Sequence, residues 1–254
     1  MRAKRPSSIR LRPSAKNRPP PDQNLLLAAL PRSDFHRIAP TLHIVPLKLK
    51  EILHKPGERI RHVDFPGGGF CSLLTVLNDG SRVEIATVGR EGAMGVSAML
   101  DNPRVTSEAM VQGATDICYR MKLDAFRREI DRRGAFHELI AHYTQALFAF
   151  VAQSTVCNAV HSVEQRLARW LLMARDRMGR DDFPLTQASV AMMLGASRPT
   201  VSIVAGTLQK AGMITYHRGH VAIVDGKKLE AASCECYRAV TNVLAAVTNV
   251  STRR

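Results

Sequence analysis

Between Leu185 and Val204 the chain reads LTQASVAMMLGASRPTVSIV, and the side chains there that can do chemistry are hydroxyls, one amide and one guanidinium. Hydroxyls and amides, with the backbone N–H groups of helix starts, are suited to phosphate oxygens. Gln187, Ser197 and Thr200 fit that role. A guanidinium can bind O6 and N7 of one guanine in bidentate fashion, which is the chemistry open to Arg198. Ser202, one helical turn later, can reach a base edge or a phosphate. Residues 183–224 hold Arg198, Lys210 and Arg218 and no acidic residue, so the partner this stretch favours is a polyanion.

These groups need a scaffold, and the spacing predicts one. Thr186 is placed to cap a first helix, with Val190 and Leu194 pointing inward. Ala191 stands where a second helix must approach closely. Gly195 provides the positive φ of a tight turn. Ser197 caps the second helix, Pro199 falls in its first turn, and Ala196, Val201 and Val204 complete the buried face. Gly212 ends that helix. Ile214 to Tyr216 and Val221 to Val224 then predict two strands around His217-Arg218-Gly219-His220, a wing whose Arg218 and His220 contact the nucleic-acid backbone. Two short helices around a tight turn, followed by a wing, predict a winged helix-turn-helix with its second helix in the major groove.

Upstream, the signals change twice. Residues 1–21 carry seven basic groups, five prolines and no acid. They read as a disordered arm, either a solvated tail or an added electrostatic grip on DNA. Asn24 to Ile38 predicts short helices. From there to about Arg120, short apolar stretches alternate with turn signals at Pro56-Gly57-Glu58, Pro66-Gly67-Gly68-Gly69, Asn78-Asp79-Gly80 and Asp101-Asn102-Pro103. Leu73 to Leu77 and Arg82 to Val88 flank a hairpin turn. The expectation is an N-terminal β-roll, jelly-roll-like, over residues 22–123.

Phe136, Ile140, Tyr143, Leu147, Phe150, Ser154 and Cys157 then follow in steps of four and three, a heptad seam. This predicts a long dimerisation helix within residues 124–158, with Phe136, Ile140, Tyr143, Leu147 and Phe150 as the dimer contacts. A core face of the same chain is the competing reading. Val163, Leu167, Trp170, Leu171 and Ala174 mark a further helix ending near Met178-Gly179. The winged domain spans 159–238, and 239–254 reads as a helical C-terminal tail. The fold class is α+β.

Thirty-six Lys and Arg against 22 Asp and Glu leave a net charge of +14, half of it in the arm. Such an excess favours nucleic acid ahead of a membrane surface. The five cysteines are too few and scattered for a secreted disulfide scaffold, and suit a reducing compartment. No apolar run approaches the ~20 residues that cross a bilayer, so a cytoplasmic protein with no membrane partner is expected.

The order of parts resembles the Crp/Fnr family of bacterial transcription regulators over residues 24–238. The stretches PGERI, VDFPGGGFCSLLTVLNDG, EIATVGREGAMGV, HSVEQRLARWLLMARDRMG and LTQASVAMMLGASRPTVSIVAGTLQKAGMI carry the likeness. It implies a homodimer that reads a two-fold-symmetric operator in double-stranded DNA, contacts RNA polymerase and answers a small-molecule effector. It also matches Arg198 to the family's base-reading arginine, while Pro199 and Ile203 replace a glutamate and an arginine, so the sequence read should differ. Cyclic-nucleotide-binding members carry a Gly-Glu pair and, some ten residues on, Arg-Ser-Ala or Arg-Thr-Ala. Here the region reads Gly95-Val96, then Arg104-Val105-Thr106. Ordinary cyclic AMP binding is therefore not expected, and Arg104 is kept only as a candidate anion contact. The cysteine cluster of the oxygen-sensing branch has no counterpart in residues 1–70.

Two other classes remain. A cupin-like metal enzyme needs a His-x-His pair with a nearby acid; His54 and His62 stand alone in sequence. A β-roll interaction module without DNA binding would not need the acid-free winged helix. The sequence thus predicts no catalytic residue, no metal ligand and no cofactor. Cys234-Glu235-Cys236 reads as structural filler, with a metal or redox role as the alternative. Cys157 reads as a small buried residue, with a crosslink between two chains as the alternative.

Overall fold

The structure, a computed structural model, describes residues 23–100 and 104–251. The basic arm and the Asp101-Asn102-Pro103 turn lie outside the described residues. Two short helices, α1 (Leu25–Ala28) and α2 (Arg32–Ile38), open the described chain. Buried Asn24 caps α1 through Leu27 N–H and donates to the carbonyls of Pro66 and Gly92 at 2.9 Å, which pins the entry to the roll.

Seven strands follow: β1 (Leu42–Leu47), β2 (Ile52–His54), β3 (His62–Pro66), β4 (Phe70–Val76), β5 (Arg82–Val88), β6 (Glu108–Gly113) and β7 (Thr115–Lys122). They form two antiparallel sheets, β1-β7-β3 and β2-β6-β4-β5. The expected hairpin is β4–β5, with Leu77 and Ser81 closing its turn. Leu47, Cys71, Val88, Ala109, Val111 and Cys118, drawn from strands of both sheets, form one buried cluster, while Val63, Phe65, Tyr119 and Met121 join the cluster that the helices cover.

The roll leads into α3 (Leu123–Asp131), a break at Arg133-Gly134, and the 26-residue α4 (Ala135–Val160). Here one expectation is corrected. Phe136, Ile140, Tyr143 and Phe150 are at most 2% exposed within a single chain, and Leu147 packs beside them. They form the face that α4 presses onto its own roll: Phe136 meets Phe65 and Phe126, and Tyr143 fills the hollow left by Gly92. A face consumed in the chain's own core is not free for a second chain. The exposed face of α4 is a different one, running through Gln145, Phe148, Ala152, Val156 and Val160. Phe148 is 76% exposed there.

Helix α5 (Val163–Met178) starts at a capping box, in which Ser162 and Gln165 each satisfy the other's backbone, and ends at left-handed Gly179. Then come β8 (Asp182–Pro184), α6 (Gln187–Leu194), α7 (Arg198–Lys210), β9 (Ile214–His217), β10 (His220–Ile223), α8 (Gly226–Ala232) and α9 (Cys236–Ser251). The third sheet is β8-β10-β9. The expected tail boundary at 238/239 falls inside α9. That helix packs along α4 and α5 with Tyr237, Val240, Leu244 and Val247 buried.

The helical domain is docked on the roll. Trp170 packs edge-on to Phe70 at 5.9 Å and donates from Nε1 to Glu84 Oε1 at 2.9 Å. Arg177 pairs with Glu91 at 2.8 Å and lies over the Phe150 ring. Ser72 donates to Glu84 and also meets Met193 Sδ on α6. Burial dominates at Glu84 and lifts its carboxyl to about 7, against the pull of the Ser72 hydroxyl, Arg169, Trp170 and Arg177.

Candidate nucleic-acid interface

The local devices read from sequence form as expected. Thr186 caps α6 by accepting from Ser189 N–H, and Ser197 caps α7 by accepting from Thr200 N–H. Gly195 between them adopts φ 57°, and the two helix axes bend by 106°. That is the steep crossing a helix-turn-helix requires. Val190, Ala191, Leu194 and Val201 lie in the buried seam between the helices.

On the outer side, Ser197, Arg198, Pro199, Ser202 and Ile203 are exposed, and Thr200 is half-buried. Ser202 Oγ donates to Gln187 Oε1 at 2.7 Å, so the second helix is tied to the start of the first and the amide faces the same mouth as the hydroxyl. Arg218, with φ 46°, and Gly219 form the wing turn. Leu185 N–H donates to the Gly219 carbonyl at 2.7 Å and Tyr216 Oη donates to the Leu185 carbonyl, which hold the wing beside the N-terminus of α6. Arg218 and His220 are exposed at its tip. The structure thus gathers Gln187, Ser197, Arg198, Thr200 and Ser202 at the start of α7, and sets Arg218 and His220 alongside. Ile203, noted in the sequence as a departure from the family pattern but not counted among the contact residues, is 71% open on the same face. Its place one turn after Pro199 was the available signal.

One neighbour crowds this surface. Gly80, Ser81, Arg82 and Val83 of the β4–β5 hairpin share a crevice with Gly195, Ala196 and Arg198. A Cβ on Gly195 would lie 3.4 Å from Val83.

The other candidate positions are separate. Arg104 is exposed and donates to the Gly57 carbonyl at 3.0 Å, at the rim of the roll. His54 and His62, isolated in sequence, line one polar cavity of about 400 Å³ together with Glu58, Asp64 and Arg120. Arg120 takes one oxygen of buried Asp64 at 2.6 Å, and burial holds His54 below its ordinary pKa. Among the described residues, metal-type ligands converge elsewhere: Cys157, His161, Cys234 and Cys236 bring their donor atoms within 4.8 Å of one another. No single described helix is long and apolar enough to cross a membrane.

Residues 165–232 match the Crp-like helix-turn-helix domain family. No curated protein sequence matches the chain. Among solved structures it is similar to FixK2 from Bradyrhizobium japonicum, with 14% identity, 76% of this chain and 98% of that one covered, and a TM-score of 0.65. It is also similar to a CRP-family transcriptional regulator from Thermus thermophilus, with 20% identity, coverage of 74% and 95%, and a TM-score of 0.61. A third is CLP of Xanthomonas campestris, described as a c-di-GMP responsive global regulator, with 13% identity, coverage of 76% and 99%, and a TM-score of 0.61. At these identities the likeness is one of fold.

Proposed function

From a Crp/Fnr fold that carries a Crp-like helix-turn-helix domain, we propose that this chain is a sequence-specific, DNA-binding transcriptional regulator and not an enzyme. The observation that carries the reading is the opening of α7. It is a capped helix start with Arg198 and Ser202 exposed, on a stretch with no acidic residue from 183 to 224. In a major groove Arg198 reads a guanine, Ser197, Thr200 and Gln187 hold phosphates, and Arg218 and His220 grip the backbone beside them. Ile203 supplies an apolar contact suited to a thymine methyl group.

The active species is a homodimer on a two-fold-symmetric operator, with half-sites ~34 Å apart. The exposed stripe of α4 from Gln145 through Phe148 to Val160 supports that reading, since its three- and four-residue steps suit a second helix. RNA polymerase is the downstream partner. The effector, where there is one, is not cyclic AMP: Tyr143, Val96 and Ala93 occupy the space between roll and α4, and Arg104 points to the rim. Selection of bound sequences from random duplex DNA tests the proposal. An enriched palindrome that Arg198→Ala no longer recovers supports it, and a pool that stays random overturns it.

A further inference from the structure

Four side chains that no part of this reading uses meet where the long helix ends. Cys157 lies in the last turn of α4, and His161 is that helix's C-cap, four residues on. Cys234 precedes α9 and Cys236 opens it. Cys157 Sγ and Cys234 Sγ are 3.5 Å apart, and Cys236 Sγ is 3.6 Å from His161 Nδ1. A single zinc ion with bonds of about 2.3 Å to sulfur and about 2.0–2.1 Å to nitrogen has tetrahedral edges of about 3.6–3.8 Å. The spacing found is that of the ligands around one ion. A disulfide would need sulfurs about 2.05 Å apart, and would leave Cys236 and His161 out.

The surroundings point the same way. The three thiols are at most 3% exposed. His161 turns Nδ1 to the cluster and Nε2 to Glu235 Oε2 at 3.3 Å, the arrangement by which a carboxylate orients a metal-bound imidazole. Gln153 donates its amide to Cys236 Sγ at 3.0 Å. Arg169, 6% exposed, has Nε and Nη1 without a hydrogen-bond partner among the described residues, and its charge bears on Cys157. Three thiolates around a dication leave one net negative charge, which Arg169 offsets.

We propose that Cys157, His161, Cys234 and Cys236 form a closed four-ligand site for a single zinc ion. Three sulfurs and one imidazole in a tetrahedron select zinc among common divalent ions, and four protein ligands leave no position for a reacting water. Binding releases three protons from the thiols and forms three Zn–S bonds and one Zn–N bond. The ligands come from the end of α4, the link to α5 and the start of α9. An ion there fixes the angle at which the winged domain leaves the long helix, a consequence that rests on the regulator reading above.

The test uses the full, reduced chain titrated with cobalt under anaerobic conditions, then with zinc. The expected result is one cobalt per chain with the visible ligand-field bands of a tetrahedral site and thiolate-to-metal charge transfer, all displaced by one zinc. Cys236→Ser should lose charge-transfer intensity, while Cys71→Ser, in the roll, should keep it. Glu235→Gln keeps all four ligands and should weaken zinc binding by about 10-fold or more. Absence of the cobalt bands in the wild-type chain, or a Cys157–Cys234 disulfide that rejects cobalt, overturns the site. The same samples are tested on the selected DNA. Cobalt uptake without DNA binding sinks the regulator reading and leaves the metal site standing; DNA binding without cobalt bands does the reverse.

Discussion

Replacing Glu84 by Gln should remove a large part of the chain's pH-dependent instability. Glu84 is 8% exposed beneath Trp170, and its carboxyl is lifted from 4.5 to about 7, first by burial. The folded state therefore holds the proton more tightly than the unfolded chain. Stability from this group is fully present below pH 4.5 and is lost as pH rises through about 7. Each unit between those values costs ~1.4 kcal/mol, so the total is about 3 kcal/mol. The amide of Glu84→Gln would still accept from Trp170 Nε1, and its NH2 group would donate to Ser72 Oγ, reversing that bond. Urea unfolding followed by the fluorescence of the single tryptophan, Trp170, reads the effect directly. The stability difference between Glu84→Gln and the wild type should move in favour of the variant by about 3 kcal/mol from acid to mild alkali. The same difference at both ends of that range would refute the buried-carboxyl account.

Arg198→Ala should cost about 1–3 kcal/mol on the selected site and relax preference at one base pair, measured by competition binding across single-base variants. Phe148→Glu should give a folded monomer by sedimentation, because its side chain is exposed. Leu147→Glu should instead lower the midpoint of unfolding, because that side chain packs inward. Gly92→Ala would set a methyl group against the Tyr143 hydroxyl, and should cost about 1–3 kcal/mol in chemical denaturation.

The winged helix was legible because its signals are local. Thr186, Gly195, Ser197 and Pro199 each do a job set by their nearest neighbours, and those jobs survive any packing. The seam of α4 was not. A heptad of apolar residues says that a helix buries a face, but not whether the cover comes from the same chain. Here the roll covers Phe136 to Phe150, and the free face lies elsewhere. Glu84 gave no sign either, being one acid in an alternating strand whose lid, Trp170, lies 86 residues away. The cysteine cluster was split likewise. Its halves, Cys157-x-x-x-His161 and Cys234-x-Cys236, are each short of a full ligand set, and only the return of α9 to the end of α4 joins them.

These two buried sites flank one helix. Along α5, Trp170 reaches Glu84 on the roll, the Arg169 charge bears on both Glu84 and Cys157, and Arg166 donates to the Leu194 carbonyl at 2.9 Å at the end of α6. The β4–β5 hairpin meanwhile crowds Arg198. If entry of α7 into a groove draws α6 off β5, water reaches Glu84 and its carboxyl returns toward 4.5. The complex then holds fewer protons than the free protein. By reciprocity, DNA affinity must rise with pH between about 4.5 and about 7 and level off above that, and binding within that window must release protons to the buffer. Calorimetry in buffers of different ionisation enthalpy measures that release. Equal proton release from the wild type and Glu84→Gln would mean that α6 stays on β5 when DNA binds.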